Sequence, residues 1–239
     1  MRMSLILGSG LPVLAARAWP RQSFDRIVAI NNAFAVRPDW DEMIHPHDFP
    51  AAHRPQSGPG QRIVTEDDFV AVQNAFGGFV YAGGTMAFTA GYWVLGAHAP
   101  QVIAMMGCDM HYPRRGATHF YGRGHPDPLR RDITLRSLEA KSARLMVMAA
   151  MRGCAMVNLS TGPSRLIFPR VTADRAATSR PLPFDTAMAA CALEREAALG
   201  YVVPSGRYWE RATAFDPVQI DALDAMWLAA ARMPMSRTG

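Results

Sequence analysis

Lysine is nearly missing from this 239-residue chain: Lys141 is the only one, and the other 24 basic residues are arginine. Charged residues of both signs amount to 19%, below the roughly 25% usual in soluble domains. Low-complexity segments and internal repeats are lacking as well, so disorder and coiled coil explain the chain poorly. The formal charge of +5 is not gathered into a basic run with interleaved aromatics, and a nucleic-acid groove is not expected. With arginine and alanine both abundant, the charge reads as coding bias plus local anion sites. Cysteine is scarce: Cys108, Cys154 and Cys191 lie far apart and form no CxxC. That fits buried, reduced thiols and a reducing cytoplasm. No apolar run approaches the ~20 residues of a membrane span, so no transmembrane segment is expected. The opening MRMSLILGSGLPVLAARA has the composition of a signal peptide. Its Gly8-Ser9-Gly10 interruption argues instead for a strand, a turn and a helix.

What is present is a large apolar fraction, 49% of residues, cut into short runs that end in turn residues. Strands are expected at Ser4 to Leu7, Arg26 to Ile30, Glu42 to Ile44, Arg62 to Thr65 (an edge), Phe79 to Ala82, Val102 to Met106 and Ala155 to Leu159. Helices are expected at Pro12 to Trp19, Glu66 to Phe76, Met86 to Leu95 with Gly96 as its stop, and about Thr134 to Arg152. This rhythm predicts an α/β, Rossmann-like, mostly parallel sheet flanked by helices. Arg175 to Pro183 reads as a polar linker. Beyond it, Thr186 to Leu199 ends at Gly200, and a last helix starts at Asp216-Pro217 with Asp216 as N-cap. The chain therefore divides into a nucleotide-binding catalytic domain, 1–172, and a C-terminal helical extension, 173–239. The extension would dock on the sheet or make a homo-oligomer contact.

The chemistry-bearing residues sit at the expected strand ends, where open α/β sheets bind ligands. Gly8-Ser9-Gly10 opens a helix after the first strand, the place for a phosphate on free amides. Val13 stands where a dinucleotide fingerprint needs its third glycine. Asn31-Asn32 ends the second strand with neutral hydrogen-bonding groups. His45-Pro46-His47-Asp48 ends the third and offers two imidazoles and a carboxylate, but no second cluster completes a metal site. Gly83-Gly84-Thr85 repeats the glycine turn. Residues 101–125 carry a strand that stops at Gly107-Cys108-Asp109 and opens into a loop with His111, Tyr121 and His125. A histidine near neutral pKa suits a general base. Arg114, Arg115, Arg123, Arg130 and Arg131 would contact anions.

The segments LILGSG, AINNAF, IHPHD, GGTMAFTAGYWVLGA, VIAMMGCDMHY, a histidine-bearing loop and AMVNLS follow one another from about Leu5 to Leu166. In order and spacing this is similar to the bacterial CMP-sialic-acid-dependent sialyltransferases. It is also similar to the related domain of hydroxymethyl-dihydropterin pyrophosphokinase-like and flagellin-glycosylation accessory proteins. The resemblance implies that Gly8, Ser9 and Gly10 face a phosphate, and that Asn32 and His45 contact nucleotide and sugar. Gly83 and Gly84 would hold the donor, Gly107 and Asp109 would position the nucleotide, and His125 would be the base. The residues holding the donor phosphate would fall near His111 and Tyr121. His45, His111 and the Gly-Gly turn depart from the family's pattern, so nucleotide binding carries over better than the identity of the sugar.

The expected function is transfer of a sugar from a nucleotide-activated donor, with a CMP-linked sugar as one option, to a glycan or other hydroxyl acceptor. No cofactor or metal is required. The alternatives are a Mg-dependent pyrophosphokinase-like phosphoryl transferase, with Mg²⁺ on Asp109 or Asp48, and a catalytically silent nucleotide- or glycan-binding protein.

Overall fold

A computed structural model of the chain describes residues 2–124 and 127–232. Six short strands form one sheet: β1 (Met3–Leu7), β2 (Arg26–Ile30), β3 (Glu42–Ile44), β4 (Arg62–Val64), β5 (Val102–Met106) and β6 (Ala155–Asn158). Every pairing is parallel, in the order β4-β3-β2-β1-β5-β6. The strands are near-continuous apolar runs because a parallel sheet is covered on both faces. The signal-peptide-like start is β1, buried along its whole length between β2 and β5. Order reverses at β1, so the topological switch point lies between the carboxyl ends of β1 and β5.

Alternation along each strand splits the core in two. Ile6, Val28, Ile44, Ile103 and Met156 face one cluster, which also holds α1 (Glu66–Ala75), α3 (Met86–His98), α4 (Leu138–Ala150), α6 (Thr186–Leu199) and α7 (Pro217–Ala230). Leu5, Leu7, Ile27, Met43 and Val157 face the other, covered by the 3-10 helices Leu11–Ala18 and Asn31–Val36, by Trp40 and Phe49, and by Ala176 of α5 (Ala173–Ala176). Among the described residues no helix is long and apolar enough to cross a membrane.

Four expectations are corrected. Phe79–Ala82 is α2, a helical turn entered through Gly77 and Gly78, both at positive φ. Its Phe-Val-Tyr-Ala run is buried, and a short buried apolar run has no period that separates strand from helix. Gly96 does not stop α3, which continues to His98 and ends on Ala99 in the left-handed region. The glycine is there for packing, because a Cβ would lie 2.5 Å from Val72. The long helix expected from Thr134 is divided: Ile133–Leu135 is a 3-10 turn capped by Asp132, and Ser137 caps a new start for α4. Residues Leu11–Ala18 form a 3-10 rather than an α-helix.

The C-terminal helices belong to the main core. The apolar face of α7 (Ile220, Leu223, Trp227, Ala230) is buried within the chain. At its centre Arg144 of α4, 1% exposed, donates through Nε and Nη2 to the two carboxylate oxygens of Glu196, each at 2.7 Å, and through Nη1 to the Tyr92 hydroxyl at 2.7 Å. Trp227 Nε1 donates to the same carboxylate at 2.8 Å. One guanidinium thus ties together α3, α4, α6 and α7. Bidentate charge-assisted bonds of this kind answer the cost of burying both ions. A second buried pair, Lys141 Nζ to Asp224 Oδ1 at 2.7 Å, places the only lysine between α4 and α7.

Candidate functional site

Beyond the carboxyl ends of β3 and β4 a cleft of about 450 Å³ opens on the α3 side of the sheet. Its floor is apolar, from Phe69, Val70, Phe79 and Met86. Its polar lining comes from His47 and Asp48 after β3, Glu66 at the start of α1, Gly84-Thr85 and Thr89 of α3, Asp127 and Arg130, and Ser205 to Trp209 from the extension.

The first turn of α3 brings a positive partial charge to a lining that also holds Asp48, Glu66, Asp127, Arg130 and Arg207. Thr85 is the N-cap residue, yet its side chain caps no amide, and the first turn holds no acidic residue. The N-terminal amides of this 13-residue helix therefore keep their positive partial charge.

The turn that leads into α3 is clamped from both sides. Gly84 N–H donates to Thr134 Oγ1 at 2.9 Å, and Arg130 Nη2 donates to Gly84 O at 2.8 Å. Asp132 closes the ring. It accepts from the Thr134 amide and hydroxyl (2.8 and 2.7 Å), from Arg130 Nε (3.1 Å) and from the Tyr208 hydroxyl (2.8 Å). Burial alone would raise the Asp132 pKa, but the Thr134 and Tyr208 hydrogen bonds and the Arg130 charge hold it below the usual carboxylate value. Burial and the adjacent Asp132 push the Tyr208 phenol up to about 12, so it stays a donor at neutral pH.

Arg130 also reaches the Asp127 carbonyl and carboxylate and the Tyr208 oxygen, so each of its five N–H groups has a partner. Arg130, expected as an anion contact, lines the cleft and is at the same time the rivet of this turn. Arg114 and Arg115 are exposed on the loop after β5, and Arg123 donates to Gly116 O.

The other anticipated residues lie elsewhere. Gly8-Ser9-Gly10 and Gly107 pack against one another at the switch point: Gly8 N–H donates to Met106 O and Gly10 N–H to Gly107 O, both at 2.8 Å. A Cβ on Gly8 would overlap the Gly107 carbonyl, and one on Gly10 would lie 2.9 Å from it. Close approach of two turns already requires these glycines, and Phe120 N–H donates to Ser9 O across them. Asp109 is buried, with Oδ1 accepting from Asn158 Nδ2 at 3.1 Å and Oδ2 without a protein partner among the described residues. Asn31 adopts φ 50°, the left-handed turn geometry asparagine tolerates. Asn32 is half-buried beside it.

His45 is buried, packs at a tilt against Phe49 and contacts Pro46 O through Nδ1; unlike His47 it does not line the cleft. Gly83 sits between two helices, against Phe88 and Lys141. His111 and Tyr121 are exposed, and Tyr121 stacks on His119 at 5.0 Å. His125 lies outside the described residues. Of the anticipated ligand contacts, then, the cleft holds His47, Asp48, Gly84, Thr85 and Arg130. Among the described residues no three metal-ligating side chains gather.

Sequence reading missed Thr89, Asp132, Thr134, Tyr208 and Trp209. Asp132-Ile133-Thr134 is an N-cap signature that could have been found. Nothing local joins Tyr208 to Asp132. His119 is a histidine whose pKa burial lowers, with its ring Nδ1 2.9 Å from Thr118 Oγ1. No family model, curated protein or solved structure matches the chain.

Proposed function

We propose that the chain is a glycosyltransferase-like enzyme that holds a nucleotide-activated sugar in this cleft and passes the sugar to a hydroxyl acceptor. The observation that carries the reading is the uncapped N-terminus of α3, clamped by Thr134 and Arg130, opening into a 450 Å³ cleft at the carboxyl end of a parallel sheet. Such a helix end favours the phosphate of the donor. The aromatic floor residues Phe69 and Phe79 take apolar ring faces of the donor. His125 acts as general base: it removes the acceptor's hydroxyl proton as the oxygen bonds to the anomeric carbon. The bond from that carbon to the phosphate breaks, and the nucleotide leaves with the electron pair. The resemblance of the motif order to the sialyltransferases points to the same reaction class, with the donor moved from the Gly8-Ser9-Gly10 turn to this cleft.

The test is release of free nucleotide from CMP-, UDP- and GDP-linked sugars by wild type and His125→Ala. Turnover by wild type that falls at least about a hundredfold in the variant, with nucleotide affinity retained, is expected for a general base. Full turnover by His125→Ala removes the base assignment. Mg²⁺-dependent ATP turnover with no sugar transfer replaces the reading by phosphoryl transfer.

A further inference from the structure

We infer that Trp209, with His47 opposite it, is a sugar-binding platform at the mouth of the cleft that receives the acceptor; this rests on the donor reading above. Trp209 is 52% exposed, a large apolar surface that the core does not use. It is held in place from below. The Tyr208 ring meets it edge-on at 5.4 Å and 78°, and Tyr208 is itself buried and bonded to Asp132 and Arg130. The His47 ring lies nearly parallel to the indole, 19° off with centroids 6.1 Å apart.

The two rings come from the loop after β3 and from the C-terminal extension, and both line the cleft. A half-exposed tryptophan on a rigid support, at the edge of a concave site, offers a large apolar face with a polar handle to an arriving ligand. Pyranose rings suit it. Their C–H face gains dispersion contact with the indole, while their hydroxyls donate to the carboxylates Asp48, Glu66 and Asp127 of the same cleft. A donor anchored at Thr85 occupies the interior, so the solvent-facing rim is what an arriving acceptor meets. The extension thereby becomes the element that selects the acceptor.

The experiment compares wild type, Trp209→Ala and Trp209→Phe. The probes are methyl glycosides of the common hexoses and N-acetylhexosamines, read by ligand-observed saturation-transfer NMR, with CMP, UDP and GDP titrated separately. At least one glycoside is expected to bind wild type, to weaken about tenfold or more in Trp209→Ala, and to recover to within about threefold in Trp209→Phe, since loss of one stacking ring costs about that much. Nucleotide affinity and the unfolding midpoint should not change in either variant. Equal glycoside binding by Trp209→Ala overturns the inference, as does absence of glycoside binding by a wild type that binds nucleotide. Loss of nucleotide rather than glycoside affinity also overturns it, assigning the indole to the base. Trp209-dependent glycoside binding with no nucleotide binding keeps the platform and removes the donor reading.

Discussion

The Tyr208 hydroxyl donates to Asp132 Oδ2 at 2.8 Å, joining the C-terminal extension to the segment that clamps the first turn of α3. The same phenol oxygen accepts from Arg130 Nη2 at 3.0 Å. Tyr208→Phe removes both contacts and little volume. It should lower the unfolding free energy by about 1.5–3 kcal/mol, the range for a bond to a charged group. It should also weaken nucleotide binding, because Arg130 loses one of the partners that hold it on Gly84 O. Urea unfolding and nucleotide titration measure the two effects separately. Unchanged affinity would show that the clamp does not depend on the extension.

Gly8 and Gly84 separate packing from binding. A Cβ at Gly8 meets the Gly107 backbone carbonyl, which cannot move without displacing β5. Gly8→Ala should therefore destabilise by about 1–3 kcal/mol or more, as overpacking does. A Cβ at Gly84 meets the Tyr208 and Thr134 hydroxyls, which can swing away but then release the clamp. Gly84→Ala should cost less stability and more nucleotide affinity than Gly8→Ala. Thermal unfolding with and without nucleotide checks the order.

Among the described residues, Lys141→Met leaves Asp224 buried with no partner for either oxygen, because Oδ2 already lacks one. Breaking a buried pair by removing one ion costs about 3–5 kcal/mol. Burial raises the Asp224 pKa against the pull of Lys141, and without Lys141 it rises further. The variant should thus recover part of its deficit in mildly acidic buffer. Lys141→Met/Asp224→Leu should restore most of the loss at neutral pH. A double variant as weak as the single one would contradict this assignment.

Glu42 of β3 is buried and bonded to Trp93 Nε1 at 2.8 Å and His98 Nε2 at 3.0 Å, with Arg26 Nη1 at 3.2 Å. Burial opposes its ionisation, but the hydrogen bonds from His98 and Trp93 and the charges of His98 and Arg26 prevail, so its pKa lies below the ordinary 4.5. A carboxylate depressed in the folded state contributes stability that is present above the unfolded-state pKa and is lost as pH falls through the folded value. Stability should therefore decline on acidification below about pH 4.5. Glu42→Gln should be less stable at neutral pH and show a shallower decline. Denaturant midpoints across the acid range give the comparison.

Much of the sheet was legible, because each strand is a short apolar run closed by a turn residue, as at Leu7-Gly8, Ile30-Asn31 and Met106-Gly107. Phe79–Ala82 failed that same rule, since buried aromatic and β-branched residues fill a helical turn as readily as a strand when glycines flank it. The site was legible in part. Strand-end turns announce themselves locally, and Gly84-Thr85 was among them. The cleft's other wall was not, because it depends on pairings such as Asn74 with Pro204 O and Tyr208 with Asp132, far apart in the chain. The first glycine turn looked like a phosphate loop for a physical reason. The absence of a Cβ admits either a phosphate or a second backbone, and Gly107 supplies the backbone.

The most direct measurement is a thermal-shift and calorimetric panel of CMP, UDP, GDP, ATP and NAD on wild type and Gly84→Ala, with and without Mg²⁺. At about a hundred times its Kd, a nucleotide binding only the folded cleft should stabilise wild type by about 2.7 kcal/mol. That shift should be independent of Mg²⁺ and smaller in Gly84→Ala. No shift with any nucleotide, or an equal shift in Gly84→Ala, would contradict a nucleotide-activated donor held at the α3 turn.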